Sequence, residues 1–260
     1  MGLAPYGDKD AAETKKIKAL ITEKLCTVYE DGSVFLHQDY FNYATGLTMV
    51  NEKAWEKLFG ICRRKEDDPL TKSHCNMAIA IQSVTEEIVI KMAYEARRIT
   101  GSENLCMAGG VALNCVANSK LQQAGIFRNI HIQPAAGDAG AAIGAALTAF
   151  HIYYENAKPV NGTNMHGAYL GPAFSNDSVL FVLKKYQASF TYYEAGTLYD
   201  WVAAQIDAGL VVGWFQGRME FGPRALGNRS IIADPRKKSM QQQLNLKIKL
   251  IKYHNHKCHK

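Results

Sequence analysis

The feature that most constrains the fold is an alternation of apolar runs and helical patterns near the middle of the chain. An apolar run over 104–108 leads through two glycines into a helical pattern over 112–124. A second apolar run over 126–133 leads through Pro134 into a Gly/Ala-rich pattern over 138–150, which predicts a tightly packed helix. Strand, helix, strand and helix in close succession predict an α/β fold with a largely parallel sheet.

A change in composition predicts two domains. Asn, Gly, Pro and His accumulate around 156–176, which is typical of a linker. Residues 1–155 hold the α/β layer together with a long amphipathic helix predicted over 73–100. Residues 177–250 are predicted as a second domain, and residues 251–260 as a divergent tail. Strands of the second domain are predicted at 189–193, 211–215 and 230–233.

The net charge of +6 belongs to the end of the chain. No acidic residue follows Asp234, and eight lysines and arginines lie beyond it. Without those eight charges, residues 1–234 carry −2, so the body of the protein is not predicted to bind nucleic acid. No apolar run has the length of about 20 residues that crosses a bilayer. We therefore expect no membrane partner and a cytoplasmic location.

Two glycine-rich turns are candidates for binding a nucleotide. Gly109 and Gly110 follow an apolar strand and open a helix, where free N–H groups favour an anion. The same pattern also serves close packing of backbone. Gly137, Asp138 and Gly140 form a second turn of this kind, in which Asp138 could be a helix N-cap, a metal ligand or a nucleotide contact. Because ligands bind where parallel strands end, both turns are expected to line one crevice.

The segment over 217–230 is the most specific candidate site. It contains Arg218, Arg224 and Arg229 within twelve residues, interleaved with Gly and Pro and with apolar neighbours. Guanidinium groups bind phosphate or carboxylate in a bidentate manner, so the pattern predicts an anion site in which Glu220 orients one arginine. The alternative is a solvated basic loop, which would not usually carry so many rigidifying glycines.

Four stretches of the chain resemble, in order, the nodulation-protein and tobramycin-type O-carbamoyltransferase family. They are MGLAPYG at 1–7, NLCMAGGVALNCVAN at 104–118, PAAGDAG at 134–140 and VGWFQGRMEFGPRALGNRS at 212–230. The resemblance implies part of an actin/Hsp70-like ATPase domain, similar to the threonylcarbamoyl-transferase of tRNA modification. It also implies the start of an α+β domain that forms carbamoyl-adenylate from carbamoyl phosphate and ATP.

The resemblance also implies roles for individual residues. It implies that a hydroxylated small molecule, similar to a sugar or an aminoglycoside, accepts the carbamoyl group. It implies a divalent metal, Fe²⁺ or Mg²⁺, with Asp138 among its ligands. The arginines of the 217–230 segment, together with Lys249, would hold carbamoyl phosphate and the nucleotide phosphates. The nucleotide cleft would contain Gly109, Gly110, Asn114, Gly137 and Gly140.

The chain departs from the family pattern at both ends. The family's upstream His-x-x-x-His metal motif does not occur, and the residues after Lys249 do not follow the family's continuation. We therefore expect a fragment, with a tail like that of a shifted reading frame, that does not transfer carbamoyl groups by itself. A non-catalytic remnant with at most weak nucleotide binding is an alternative. A sugar-kinase-like ATPase is another, although such an enzyme has no need of the arginines.

Overall fold

The computed structural model describes residues 1–65, 68–156, 165–237 and 239–244. The chain forms two compact units, Met1–Gln133 and Pro134–Lys260, called here the N-terminal unit and the C-terminal unit. Helices and short strands occur in both, so the mixed helix and strand architecture is confirmed. The predicted domain limits at residues 155 and 177 stay predictions.

The N-terminal unit is organised by one long helix. Helix α3 begins after Thr71, whose side chain forms a reciprocal capping box with His74, and ends at Gly101, which has φ +63°. Its 29 residues extend about 43 Å at 1.5 Å per residue. The elements of this unit are α1 Ala12–Leu20, β1 Cys26–Val28, β2 Val34–Leu36, α2 Glu52–Phe59, α3 Lys72–Thr100, β3 Asn104–Met107, α4 Cys115–Gln123 and β4 Asn129–Ile132.

Helix α3 contributes to two apolar clusters. In the first, Ala80 and Val84 pack with residues of the first helical segment, among them Ile17 and Ile21. In the second, Val89 and Ala93 pack with Ala117, Leu121 and Phe127, which places α4 against α3. The predicted helix is confirmed, but its apolar positions are not all buried, because Ile81 and Met92 are exposed.

The predicted parallel pairing occurs between β3 and β4, with Asn104 opposite Asn129 and Met107 opposite Ile132. The other two pairs of strands in the described residues, β1–β2 and β5–β6, are antiparallel. The described chain thus contains three two-stranded sheets rather than one extended parallel sheet.

The C-terminal unit has a much smaller buried core. Its strands β5 and β6 form an antiparallel hairpin with Val212 opposite Ile232 and Phe215 opposite Arg229. Its buried apolar residues within the described ranges are mostly small. The elements of this unit are α5 Asp138–Thr148, α6 Asn176–Lys185, α7 Ala195–Asp207, β5 Val212–Phe215, β6 Arg229–Ile232 and α8 Met240–Gln243.

Two local predictions for the C-terminal unit are wrong. No residue of α5 is buried, so the Gly/Ala-rich helix over 138–150 is not tightly packed within this unit. Alanine favours a helix by itself, whereas tight packing needs a facing surface that the described residues of the unit do not supply. The predicted strand over 189–193 is irregular backbone, because its aromatic residues find no partner strand there.

No helix in the described part of the chain is both long and apolar enough to span a membrane.

Candidate functional site

The Gly109–Gly110 turn follows the carboxyl end of β3 directly. Gly109 has φ +96° and ψ 162°, a conformation that residues with a Cβ rarely adopt. Apart from the adjacent residues, no atom of the described chain lies within 4 Å of where a Cβ would stand at Gly109 or at Gly110. Close packing of the backbone therefore does not explain the two glycines, and the space in front of their backbone is open.

The helix expected over 112–124 is interrupted at Asn114. Residues Gly110–Leu113 form a 3₁₀ turn, and α4 starts only at Cys115 because Asn114 has non-helical backbone angles. Asn114 Oδ1 accepts the Ala117 N–H at 3.2 Å, so this side chain is the N-cap of α4. Asn114 follows the 3₁₀ turn that contains Gly110, so its side chain lies between the glycine turn and the helix.

A buried polar cluster lies behind this turn. Gln82 on α3 donates through Nε2 to Glu86 Oε1 at 2.7 Å and to Asn114 Oδ1 at 3.2 Å. Asn114 Nδ2 donates in return to Gln82 Oε1 at 3.1 Å. Glu86 Oε2 forms an ion pair with Lys120 of α4. The sequence interpretation missed Gln82 and Glu86, because they lie within the amphipathic pattern that predicted a helix and nothing more.

The second glycine turn begins α5. Gly137 is the N-cap, and Asp138 is the first residue of the helix and is exposed. The alternative in which Asp138 itself caps the helix is therefore wrong. Its carboxylate lies at the helix start, where the helix dipole favours negative charge. The two glycine turns belong to different units, so their common crevice stays a prediction.

The arginine-rich segment is the loop of the β5–β6 hairpin. Gln216 N–H donates to Asn228 O at 2.9 Å and continues the ladder beyond β5. Gly222 has φ +110°, and a Cβ there would stand 2.8 Å from Ala135 Cβ. This position therefore requires glycine for both conformation and space.

Glu220 is the centre of this loop. It is 3% exposed, and its Oε1 accepts the Leu226 N–H at 2.7 Å and the Asn228 N–H at 2.8 Å. Burial by itself raises the pKa of this carboxyl group, but the backbone N–H donors outweigh burial and the pKa is lowered. Arg229 Nε lies 3.5 Å from Oε2, so Glu220 forms an ion pair with one arginine of the loop.

The three arginines of the loop have different surroundings. Arg229 is half-buried and donates through Nη2 to Gly222 O at 2.7 Å, so it also holds the loop backbone. Arg218 is exposed and donates to Gly171 O at 3.3 Å, and Arg224 is exposed. The fourth expected cation, Lys249, lies outside the described residues. Convergence of the arginines on an anion stays a prediction.

A second carboxylate fastens the far end of the hairpin. Asp234 is buried and accepts from Arg236 Nε at 2.8 Å and from the Arg236 N–H at 2.9 Å. These hydrogen bonds lower the pKa of Asp234. Arg236 also reaches Asp207 at the end of α7, at 2.5 Å. Asp234 and Arg236 together tie the β5–β6 hairpin to α7, and we assign them no role in the candidate site.

A complete metal site is not found among the residues that the structure describes, where no three His, Cys, Asp or Glu side chains group around a common point. Asp138 offers one carboxylate, and tight binding of Mg²⁺ or Fe²⁺ needs several protein ligands. The residues present therefore do not make up the metal centre that the resemblance implies, and no step of the chemistry is assigned to it.

Comparison with protein families identifies the class of protein. Residues 1–147 match the family model for the carbamoyltransferase N-terminus, and residues 203–254 match the model for the carbamoyltransferase C-terminus. The chain therefore belongs to the carbamoyltransferase family, a family of transferases.

Individual relatives are similar over most of the chain. The protein sll1178 of Synechocystis sp. is 52% identical over 252 residues, which cover 96% of this chain and 40% of that protein. Nodulation protein NolO of Bradyrhizobium diazoefficiens is 36% identical, over 96% of this chain and 42% of its own length. The 3'-hydroxymethylcephem-O-carbamoyltransferase of Streptomyces clavuligerus is 32% identical, over 66% of this chain and 30% of its own. The chain thus spans about two fifths of the length of the first two.

Proposed function

We propose that the chain is part of an O-carbamoyltransferase that activates carbamoyl phosphate with ATP and carbamoylates a hydroxyl group of a small molecule. Membership of the carbamoyltransferase family supports the reaction class. The observation that carries the proposal is the arginine loop, which a buried Glu220 holds in shape within the hairpin. A loop built in this way keeps cationic groups in place before any ligand arrives.

The proposed chemistry proceeds through carbamoyl-adenylate. Water releases phosphate from carbamoyl phosphate, and the resulting carbamate oxygen displaces pyrophosphate from ATP. The acceptor hydroxyl then attacks the carbamoyl carbon, gives up its proton and displaces AMP. Each step moves negative charge among phosphoryl oxygens, and fixed guanidinium groups aimed at those oxygens lower such barriers. Arg218 and Arg224 are the exposed cations of the loop that we assign to this task.

The nucleotide is proposed to bind at the Gly109–Gly110 turn. The open ground in front of both glycines lets a phosphate or ribose approach the backbone. This placement agrees with the actin/Hsp70-like ATPase fold that we propose for the domain containing the turn. Gly137 and Gly140 are proposed to contribute to nucleotide binding in the same way, and Asp138 to provide one ligand of a divalent ion.

The acceptor is proposed to be a hydroxylated small molecule. The cephem O-carbamoyltransferase from Streptomyces clavuligerus is named for a hydroxymethyl acceptor. This name supports a hydroxyl oxygen as the atom that is carbamoylated. No nucleic acid or membrane partner is proposed.

Ligand binding to the purified chain tests the proposal. Isothermal titration calorimetry with carbamoyl phosphate and with MgATP should show saturable binding of each. Changing Arg218 or Arg224 to Ala should weaken carbamoyl phosphate binding by about 1.5–3 kcal/mol, the usual range for a hydrogen bond to a charged group. Arg128→Ala, at an exposed position of the N-terminal unit, is the matched control and should leave binding unchanged.

Two results would contradict the proposal. One is the absence of carbamoyl phosphate binding to the unaltered chain, and the other is equal binding by the loop variants and the control. Release of pyrophosphate from ATP and carbamoyl phosphate answers a separate question, whether the chain catalyses by itself. Release above background would contradict the expectation of no transfer without contradicting the proposed reaction class.

A further inference from the structure

We propose that Gln82 is a positioning residue for the Gly109–Gly110 turn, acting through Asn114 and held in place by Glu86 and Lys120. The proposal rests on the proposed function, in which this turn binds the nucleotide. It assigns a role to a residue on α3 that contacts neither glycine. It also changes the role of Asn114, from a direct nucleotide ligand to the link between α3 and the turn.

The hydrogen bonds of this cluster have only one consistent direction. Asn114 Oδ1 accepts the Ala117 N–H at 3.2 Å, so the oxygen of this amide must point toward α4. Asn114 Nδ2 then donates to Gln82 Oε1 at 3.1 Å. Gln82 Nε2 is left to donate to Glu86, because an ionised carboxylate has acceptors and no donor. A reversed amide at either residue would set two donors or two acceptors against each other.

Asn114 has little capacity left for a ligand. Its oxygen accepts from Ala117 N–H and from Gln82 Nε2, and its nitrogen donates to Gln82 Oε1. An asparagine side chain offers about two acceptor and two donor sites, so at most one N–H remains. Asn114 is also buried. The geometry therefore favours a structural link over direct contact with a nucleotide.

The charged end of the cluster fixes the same helix a second time. Glu86 is buried and pairs with Lys120, which lies six residues after the N-cap Asn114 on the same helix, α4. Helix α3 thus holds α4 at its start and again further along. In addition, Asn118 Nδ2 donates to Ala112 O at 2.8 Å and ties the 3₁₀ turn to α4. The 3₁₀ turn after Gly109 is thus bonded to α4, and α4 with its N-cap is bonded to α3.

Such a cluster selects one position of α4 against α3. Apolar contacts such as Val89 with Leu121 stabilise the two helices in contact but tolerate small shifts. Buried polar groups do not tolerate them, because a displaced partner leaves a donor or acceptor without water or protein. Only the 3₁₀ turn Gly110–Leu113 and Asn114 separate Gly109 from α4, and Asn118 bonds that turn to α4, so a fixed α4 fixes the backbone N–H groups that the nucleotide would meet.

The test compares Gln82→Glu with Gln123→Glu in the full chain. Gln82→Glu keeps the size of the side chain but removes its N–H donor and places a second carboxylate beside Glu86. Repulsion from Glu86 raises the pKa of the introduced carboxyl group, so its protonation at low pH restores one donor. Gln123 is exposed on α4 and receives the same chemical change without that environment. MgADP affinity is measured by calorimetry at about pH 8 and about pH 5.5.

We expect Gln82→Glu to lose MgADP affinity by about tenfold or more at pH 8, relative to the unaltered chain, and to recover most of it at pH 5.5. Gln123→Glu should match the unaltered chain at both values. Equal affinity of all three proteins would overturn the proposal. Weak binding by Gln82→Glu at both pH values, with a lowered melting temperature of the whole chain, would also overturn it, because that result indicates general damage.

A second measurement separates this proposal from the proposed function. If the unaltered chain does not bind MgADP, the nucleotide site fails, and amide hydrogen exchange decides the role of Gln82. Loss of protection confined to residues 109–118 in Gln82→Glu at pH 8 would support positioning of the turn. Unchanged protection there, or loss spread through α3, would overturn it.

Discussion

At the residue scale, a buried carboxylate organises the arginine loop. Glu220 receives two backbone N–H groups and lies beside Arg229, while its Oε2 has no hydrogen bond within the described chain. A buried charge is tolerated only where donors and a counter-charge surround it. Protonation of Glu220 should therefore weaken the hydrogen bonds and the ion pair that shape the loop, which links the shape of the proposed anion site to pH.

Glu220→Gln should make the stability of the chain less dependent on acidic pH. The lowered pKa of Glu220 means that its contribution is present above the pKa of an unfolded glutamate, near 4.3, and is lost as pH falls toward the folded value. Thermal unfolding followed by circular dichroism should show a midpoint about 5 °C lower for the variant at neutral pH, a difference that shrinks below about pH 4. The control is the exposed Glu103→Gln, and a difference independent of pH would contradict the assignment.

Substitutions at two adjacent glycines should have different effects, one on the stability of the chain and the other on nucleotide binding. Gly109→Ala places a side chain at φ +96° and should destabilise the chain by about 1–3 kcal/mol in urea unfolding. Gly110→Ala meets no neighbour within 4 Å and should stay within about 0.5 kcal/mol of the unaltered chain. Its methyl group would nevertheless occupy the ground proposed for the nucleotide, so MgATP affinity should fall. Unchanged affinity of Gly110→Ala would place the nucleotide elsewhere.

At the element scale, the N-terminal unit depends on the contact between α3 and α4. Leu121 of α4 is fully buried against Val89 and Ala93 of α3 and against Phe127. The parallel strands β3 and β4 precede and follow α4 along the chain. The helix of this strand–helix–strand unit packs against α3. By contrast, α5 has the composition of a packed helix but buries none of its residues.

Leu121→Ala should be the most damaging simple truncation in α4. It leaves a cavity in the second apolar cluster and should lower the free energy of unfolding by about 2–5 kcal/mol. Val116→Ala, at an exposed position of the same helix, serves as control and should change stability by less than about 0.5 kcal/mol. Urea unfolding followed by fluorescence measures both. Similar losses in the two variants would mean that α4 does not pack as described.

At the scale of the whole molecule, the two units differ in how much apolar surface they bury. The N-terminal unit has two apolar clusters, whereas large side chains in the C-terminal unit remain exposed, among them Phe181 at 68% and Tyr186 at 72%. Burial of apolar surface is the main source of folding stability. Large exposed apolar patches also favour association.

Native-state hydrogen exchange should therefore give higher protection in α3 and α4 than in α6 and α7. Protection reports the free energy of local opening, which follows the number of buried apolar contacts around each element. The contrast should persist in dilute solution and should narrow at high protein concentration, where association covers the exposed face of α6. Equal protection of the two groups of helices in dilute solution would contradict the difference in burial.

The sequence by itself determined several local elements, among them α3, β3 and β4, and the position of the candidate loop. The periodicity of apolar residues was sufficient to predict α3, because a helix is specified by contacts within a few residues. Glycines and arginines in close succession were sufficient to predict a cationic loop with Glu220 beside one of its arginines, since those side chains are near neighbours along the chain. The four stretches that resemble the O-carbamoyltransferase family were likewise recognised from the order of their residues alone.

Tertiary structure alone decided which side chains meet across long separations. Gln82 and Asn114 are 32 residues apart, and nothing in the pattern of either segment indicates that the two side chains meet. The burial of Glu220 and the exposure of α5 likewise depend on what lies opposite each element. Periodicity describes one face of a single element, whereas burial and long-range hydrogen bonds are set by a partner elsewhere in the chain.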